Sequence, residues 1–105
     1  MKPIFFHPEA EIEMFDAASW YEAQQVNLGK RFLTSVQDAI NRLNLQPAQY
    51  PLVEKDVRRC LTKTFPFGVL FQIKRTHIII VAIMHLHRDP NYWKNRKIGQ
   101  EGKPE

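Results

Sequence analysis

The spacing of hydrophobic positions along this chain changes from one typical of strands to one typical of helices, and then back. A short apolar run predicts a strand over Lys2–Phe6. Apolar residues then recur at steps of three and four over Pro8–Leu28 and again over Lys30–Leu45, which predicts two helices. Gly29 lies between them and is typical of a helix stop. We therefore predict an antiparallel helical hairpin whose apolar stripes face a common partner.

The second half of the chain has the pattern of strands. Gln46–Asp56 contains two prolines and is predicted to be a loop. Strands are expected over Val57–Lys63, over Val69–Lys74 and over Ile78–Met84, separated by short turns. The last of these is apolar on both faces, which is typical of a strand in the centre of a sheet.

The segment after the last strand has a helix-start signal. Asp89 suits an N-cap and Pro90 suits the first helical position, so we predict a short helix that ends near Arg96 and carries Tyr92 and Trp93. The two aromatic residues are expected to seal one end of the core, with a base-stacking platform as the alternative.

The predicted fold is α+β. It comprises an N-terminal strand, the helical hairpin, a three-strand antiparallel meander and the short C-terminal helix, with the helices packed on one face of a small sheet. Residues 1–96 are predicted to form one domain, and residues 97–105 are predicted to be a disordered basic and polar tail.

Composition excludes several classes of protein. Hydrophobic residues make up 44% of the 105 residues and charged residues 25%, as in soluble globular domains. No apolar run approaches the roughly 20 residues of a membrane span, and the N-terminus does not resemble a secretory signal. The single cysteine, Cys60, excludes an internal disulfide and a multi-cysteine metal site and is expected to be a small packing residue. We expect a cytoplasmic protein with no membrane, metal or cofactor.

Charge is distributed unevenly along the chain. Residues 1–56 contain five Lys/Arg and eight Asp/Glu, a net charge of −3, whereas residues 57–105 contain ten and three, a net charge of +7. A basic half beside aromatic residues indicates an anionic partner, either nucleic acid or an acidic protein segment. The alternative is a solvated basic surface that only keeps the protein soluble.

Six short segments in this order resemble the RelE/ParE superfamily of bacterial type II toxin–antitoxin toxins, also called plasmid stabilisation proteins. The final segment resembles the ParE-like branch most. The segments are Trp20-Tyr21-Glu22, Leu28-Gly29-Lys30-Arg31-Phe32-Leu33, Tyr50-Pro51, Val57-Arg58-Arg59-Cys60-Leu61, Phe65-Pro66-Phe67-Gly68-Val69, and His85 to Trp93 with Arg96.

The resemblance implies a small toxin that a cognate antitoxin neutralises through an acidic, partly disordered C-terminal segment. RelE-type members cleave mRNA in the ribosome, and ParE-type members poison DNA gyrase without being hydrolases. We favour a toxin that binds a protein target such as DNA gyrase. The alternatives are a ribosome-dependent mRNA endoribonuclease and a non-toxic remnant that retains antitoxin binding.

The ribonuclease alternative has four candidate catalytic residues: Arg59, Lys63, His85 and Tyr92. Metal-free RNA cleavage needs a base, an acid and cations for the developing phosphate charge. His85 titrates near neutral pH, and Arg59 and Lys63 are expected on one face of one strand. This hypothesis requires the four side chains to converge in one cleft.

Structural roles are the competing interpretation for several of these residues. His85 is expected on the same strand face as Val81 and Ile83, and its competing role is that of a hydrogen-bonded histidine at the edge of the core. Arg58 and Arg88 have structural salt bridges as their alternative role, with Asp89 or with acidic residues of the first helix.

Two further sets of residues are predicted to bind partners. An acidic chain that folds on contact suits an exposed sheet edge with a basic surface. The antitoxin-binding candidates are Arg58, Arg59, Lys74, Arg75 and Arg88. The target-binding candidates, on an exposed surface of the helical hairpin, are Trp20, Gln24, Arg31 and Gln37.

Overall fold

The computed structural model describes residues 1–97 and confirms the predicted α+β fold. Two helices pack on a five-stranded sheet whose strand order is β1-β5-β4-β3-β2. Strands β2 to β5 pair antiparallel, and β1 pairs parallel with β5. The elements are β1 (Ile4–Phe6), α1 (Pro8–Gln24), α2 (Leu28–Leu45), β2 (Leu52–Glu54), β3 (Val57–Leu61), β4 (Phe67–Ile73) and β5 (Ile78–His85).

The turn between the helices differs from the prediction. Gly29 is not a helix stop, because it lies in the first turn of α2. The chain reverses at Asn27, whose φ of 72° is left-handed, and the Glu22 carboxylate accepts hydrogen bonds from the backbone N–H groups of Asn27 and Gly29. A Cβ on Gly29 would lie 2.4 Å from the carbonyl oxygen of Ala18. Glycine is therefore required here because the two helices approach closely.

The predicted loop over Gln46–Asp56 contains regular structure. Pro47–Gln49 form one turn of 3₁₀ helix, and Leu52–Glu54 form β2, which pairs with β3. The meander therefore has four strands, and β2 is an edge strand of the sheet. A strand of three residues is too short to show a period of two, so the sequence pattern does not reveal it.

The sheet has two apolar faces with different coverings. The helix face packs against α1 and α2 around the aromatic residues Tyr21, Phe32, Phe65 and Phe67, whose ring centroids lie 4.8–6.3 Å apart where they contact. The opposite face, here called the second face, is a smaller cluster. It contains Val57, Leu70, Val81, Ala82, Met84 and Trp93.

A β-bulge in β5 decides which side chains reach each face. Leu70 pairs with Ala82 and Phe71 with Ile80, so Val81 is an extra residue in β5. Val81 consequently joins the second face, whereas Ile83 joins the helix face. The expectation that Val81, Ile83 and His85 share one face is wrong for Val81.

The chain after β5 forms consecutive turns instead of the predicted short helix. In residues 86–97, here called the C-terminal segment, backbone N–H groups bond to carbonyls three residues earlier, as from Tyr92 to Asp89 and from Arg96 to Trp93. Asp89 acts as a local cap, since its side chain accepts a hydrogen bond from Asn91 N at 2.9 Å. Trp93 is buried on the second face, as expected of a sealing residue.

The predicted tail over 97–105 lies outside the described residues except for Lys97. Within the part of the chain that the structure describes, no helix is both long and apolar enough to cross a membrane.

Candidate functional site

A largely buried ion pair holds the C-terminal segment against α1. The carboxylate of Glu13 accepts hydrogen bonds from Arg96 at 2.6 and 3.1 Å and from the backbone N–H of Ile83 at 3.0 Å, and it pairs with Arg88 at 3.5 Å. Arg96 also donates to the carbonyl of Val81 at 2.8 Å. The side chains of Glu13 and Arg96 are only 12% and 11% exposed. The pair therefore holds the C-terminal segment in place on the second face.

Tyr92 lies between the two arginines of this cluster. The guanidinium of Arg88 stacks 3.6 Å from the centre of the Tyr92 ring, and that of Arg96 lies at 5.1 Å. Burial, together with the nearby carboxylate of Glu13, raises the pKa of Tyr92 well above the ordinary value of 10.0. The phenol therefore holds its proton more strongly than a solvated tyrosine does, which disfavours a role as general base.

Arg59 lies on the second face beside a groove of about 270 Å³. Its aliphatic stem passes over Gly68, where a Cβ would lie 3.1 Å from two of its carbons. The groove separates β2 from the C-terminal segment. Its lining residues are Val53, Arg59, Leu70, Met84, Pro90, Asn91, Trp93 and Lys94.

His85 and Lys63 lie elsewhere. His85 packs on Phe67 with ring centroids 5.1 Å apart and lines an apolar hollow beside α1. Lys63 follows the end of β3 at Leu61, and its carbonyl accepts a hydrogen bond from Ser35 of α2. It lines a third depression with α2 residues, so the expectation that Lys63 shares a strand face with Arg59 is wrong.

The four catalytic candidates are therefore not brought together. Arg59, Lys63 and His85 each line a different depression, and Tyr92 is enclosed by the ion-pair cluster. Within residues 1–97, no hydrogen bond joins any two of them, and no group of His, Cys, Asp and Glu side chains could hold a metal ion. The geometry required for the ribonuclease alternative is not met.

The antitoxin-binding candidates are also dispersed. Lys74 and Arg75 lie at the turn between β4 and β5, and Arg88 lies beyond the opposite end of β5. Arg58 donates to the carbonyls of Ala48 and Tyr50 at 3.0 and 2.7 Å, so the expected salt bridge of Arg58 with an acid is wrong. The alternative of an ion pair between Arg88 and the first helix is confirmed by its contact with Glu13.

The four target-binding candidates, in contrast, are all exposed on the helical hairpin. The most prominent is Trp20, which is 61% exposed on α1 and borders the apolar hollow beside His85. Sequence reasoning missed Ile12 and Phe15, which are also exposed on α1. The sequence does indicate their exposure, because they fall outside the apolar stripe that predicts the buried face of this helix.

Cys60 is buried on the helix face, as expected of a packing residue. Burial raises the pKa of its thiol despite the nearby guanidinium of Arg42. A buried thiol of raised pKa is a poor nucleophile.

Comparison with known proteins identifies the class of protein. The family model described as "ParE toxin of type II toxin-antitoxin system, parDE" matches residues 4–90. The chain therefore belongs to the ParE toxin family, the toxins of type II toxin–antitoxin systems.

The comparison with solved structures agrees at the level of the fold. A chain of the structure entitled "Chromosomal ParDE TA system from P. aeruginosa" superposes with a TM-score of 0.61 at 21% sequence identity. The match covers 82% of this chain and 97% of that chain. No curated protein matches the sequence.

Proposed function

We propose that this ParE-family toxin inhibits growth by binding a protein target such as DNA gyrase, and that a cognate antitoxin neutralises it. The observation that supports binding of a protein target is the exposed apolar surface of α1. Ile12, Phe15 and Trp20 all lie on the solvent side of this helix, and none of them belongs to the core.

This surface has the properties of a protein-binding site. Tryptophan is enriched among the residues that contribute most to protein–protein affinity, because its large ring excludes water from an interface. A hollow of about 450 Å³ lies beside Trp20 and would accommodate an apolar side chain of the target. Its other lining residues are Ala17, Tyr21, Phe67 and His85. Gln24, Arg31 and Gln37 are exposed elsewhere on the helical hairpin and remain proposed target contacts.

A protein target is favoured over mRNA for a second reason. Arg59, Lys63, His85 and Tyr92 are separated, and the pKa of Tyr92 is raised, so the described residues offer no assembled base, acid and cation set. Binding of a protein requires no such set.

The proposed antitoxin contact uses the basic half of the chain. Arg58, Arg59, Lys74, Arg75 and Arg88 remain the proposed residues. Arg75 is exposed at a turn, whereas the guanidinium of Arg58 already bonds two carbonyls and Arg88 already pairs with Glu13. Arg59 and the turn residues are therefore the cations most available to an acidic partner.

The test is a DNA supercoiling assay with purified gyrase and purified toxin. We expect inhibition, and we expect Trp20→Ala to require at least about tenfold more toxin for the same inhibition. Leu45→Ala is the matched control, since Leu45 is an exposed apolar residue at the far end of α2. Its inhibition curve should match that of the unmodified toxin.

Induction of the toxin in a bacterial host tests the alternatives. New mRNA 5′ ends at fixed positions within translated codons would contradict the proposal in favour of ribosome-dependent cleavage. Continued growth with abundant folded protein would show a non-toxic remnant.

A further inference from the structure

We propose that a basic depression along α2 binds the backbone phosphates of duplex DNA. The depression, here called the α2 depression, has a volume of about 450 Å³ and lies between the N-terminal part of α2 and the turn that follows β3. The choice of DNA rests on the proposed function, since gyrase acts on duplex DNA, but the binding of a phosphate group does not. The lining residues are Lys30, Arg31, Thr34, Ser35, Asp38, Lys63, Thr64 and Phe65.

Three cations of the α2 depression have no counter-charge within residues 1–97. Lys30, Arg31 and Lys63 are exposed, and their side chains take part in none of the ion pairs of the described chain. Asp38 is the one acid of the lining, and its carboxylate already pairs with Arg42 at 2.9 Å. The depression therefore keeps a surplus of positive charge, which attracts a polyanion.

The start of α2 carries the charge that a helix disfavours at this end. The N-terminus is the positive end of the helix dipole, so carboxylates stabilise the first turn and cations destabilise it. The first turn of α1 contains Glu9 and Glu11, whereas that of α2 contains no acid and has Lys30 and Arg31 instead. A bound phosphate is attracted both by these side chains and by the dipole, so an arrangement that is unfavourable in the free protein favours binding.

The third cation, Lys63, belongs to a turn that is bonded to α2. The carbonyl of Lys63 accepts hydrogen bonds from the Ser35 hydroxyl at 2.7 Å and from the Phe65 backbone N–H at 2.8 Å. The buried hydroxyl of Thr62 donates to the carbonyl of Phe65 at 2.8 Å. Thr64 has a left-handed φ of 76°, which is strained for a β-branched residue. The backbone at Lys63 is thus fixed before a ligand arrives, which reduces the entropy lost on binding.

The other lining groups favour a duplex backbone over a single strand or an acidic peptide. Thr34 and Thr64 are exposed, and hydroxyls together with cations are the side chains that contact DNA phosphates. A single strand needs exposed aromatic faces for its bases, but Phe65, the one aromatic residue of the described lining, is only 9% exposed. A peptide needs apolar anchor sites, and Phe65 is also the one apolar residue of that lining.

The α2 depression adjoins the surface proposed to bind the target. The ring of Trp20 lies 5.2 Å from that of Tyr21, and the ring of Tyr21 lies 4.9 Å from that of Phe65 in the lining of the depression. One toxin molecule can therefore contact gyrase through Trp20 and the DNA held by gyrase through the depression. Arg31, proposed above as a target contact, would then contact that DNA.

Binding is measured by the fluorescence anisotropy of a labelled DNA duplex with the full toxin over a series of salt concentrations. Each phosphate contact contributes about −0.9 to the slope of log K against log salt concentration, so three cations predict a contribution of about −2.7. The backbone amide signals of Thr34, Ser35 and Thr64 should shift on titration, whereas the indole signal of Trp93 on the second face should stay. A single strand of the same sequence, inorganic phosphate and a glutamate-rich peptide are titrated in parallel.

Two exposed lysines at opposite ends of β3 provide a matched pair of variants. Lys63→Met removes one cation of the depression, so the slope should become shallower by about 0.9 and the affinity at low salt should fall at least about threefold. Lys55→Met removes a lysine of the turn before β3, and its binding curve should match that of the unmodified toxin. Asp38→Asn removes the acid of the depression, and we expect the affinity to rise by about threefold. Such a gain cannot result from misfolding.

The inference is overturned if the duplex leaves the Thr34, Ser35 and Thr64 signals unchanged, if Lys63→Met and Lys55→Met bind it equally, or if Asp38→Asn binds it more weakly. It is also overturned if the single strand, inorganic phosphate or the peptide binds the depression more tightly than the duplex does. Duplex binding by a toxin that fails to inhibit gyrase would contradict only the proposed function. Inhibition of gyrase by a toxin whose depression does not bind the duplex would contradict only this inference.

Discussion

The two apolar faces of the sheet are shielded from water by different kinds of structure. On the helix face, two helices satisfy their own backbone hydrogen bonds and present continuous apolar stripes to β4 and β5. On the second face, a segment of turns covers the sheet, and the buried polar atoms without partners within the described chain belong to residues on or packed against this face. The helix face therefore holds the larger core cluster, whereas the buried polar atoms left unpaired within residues 1–97 lie on the second face.

The covering of the second face depends on a few side chains. Glu13 reaches from α1 to bind Arg96 and Arg88, and Trp93 fills the cluster beneath. A segment of separate turns lacks the continuous hydrogen bonds of a helix and has little cohesion of its own, so these anchors determine whether it stays packed against the sheet.

Removal of the anchor should have the largest effect. Glu13→Gln leaves Arg96 buried without a counter-charge, and we expect the free energy of unfolding to fall by about 3 kcal/mol. Chemical denaturation measures the loss, and amide hydrogen exchange should increase most in the C-terminal segment. Exchange that increases equally in α2 would contradict the division into two faces.

Asp38→Asn is the matched control for this variant. Asp38 pairs with Arg42 at 2.9 Å, but its side chain is 46% exposed. Water compensates an exposed ion, so this variant should lose less than about 1 kcal/mol. An equal loss in both variants would show that burial of the Glu13 pair contributes nothing.

Alanine substitutions at two glycines compare how closely the atoms pack on the two sides of the sheet. Gly29→Ala places a methyl group against the Ala18 backbone, and since the helices must separate, we expect a loss of about 2 kcal/mol. Gly68→Ala meets the flexible stem of Arg59 at 3.1 Å and Leu86 at an ordinary contact distance of 3.6 Å, so its cost should stay below about 1 kcal/mol. Thermal unfolding of both variants measures the difference, and a larger loss for Gly68→Ala would reverse the comparison.

The sequence predicted the helix face well because its residues repeat over long segments. The apolar stripe of α2 and the fully apolar β5 are signals spread over many positions, so single exceptions do not obscure them. The family resemblance predicted the same class as the family model. Gly29 was misassigned because glycine ends helices and also permits close packing, and only the approach of Ala18 distinguishes the two uses.

The second face was poorly predicted because its determinants are single contacts between distant residues. Glu13 lies near the start of α1, yet it binds Arg96, 83 residues further along the chain. Val81 changed face because one bulge interrupted the alternation of β5. The candidate catalytic residues were chosen by type and nominal strand position, and neither property determines where side chains converge.

The smallest predicted effect concerns Tyr92 and appears only at high pH. Because the pKa of Tyr92 is raised in the folded state, the phenol ionises more readily in the unfolded chain, and stability is lost as pH rises above the ordinary value of 10.0. Tyr92→Phe removes this loss, so its stability relative to the unmodified protein should rise by about 1 kcal/mol between pH 7 and pH 11. At pH 7 the two should differ little, because the hydroxyl has no partner within residues 1–97. Denaturant titrations at both pH values measure the difference, and parallel pH curves would mean that Tyr92 titrates as a solvated phenol and that the second face is open to water.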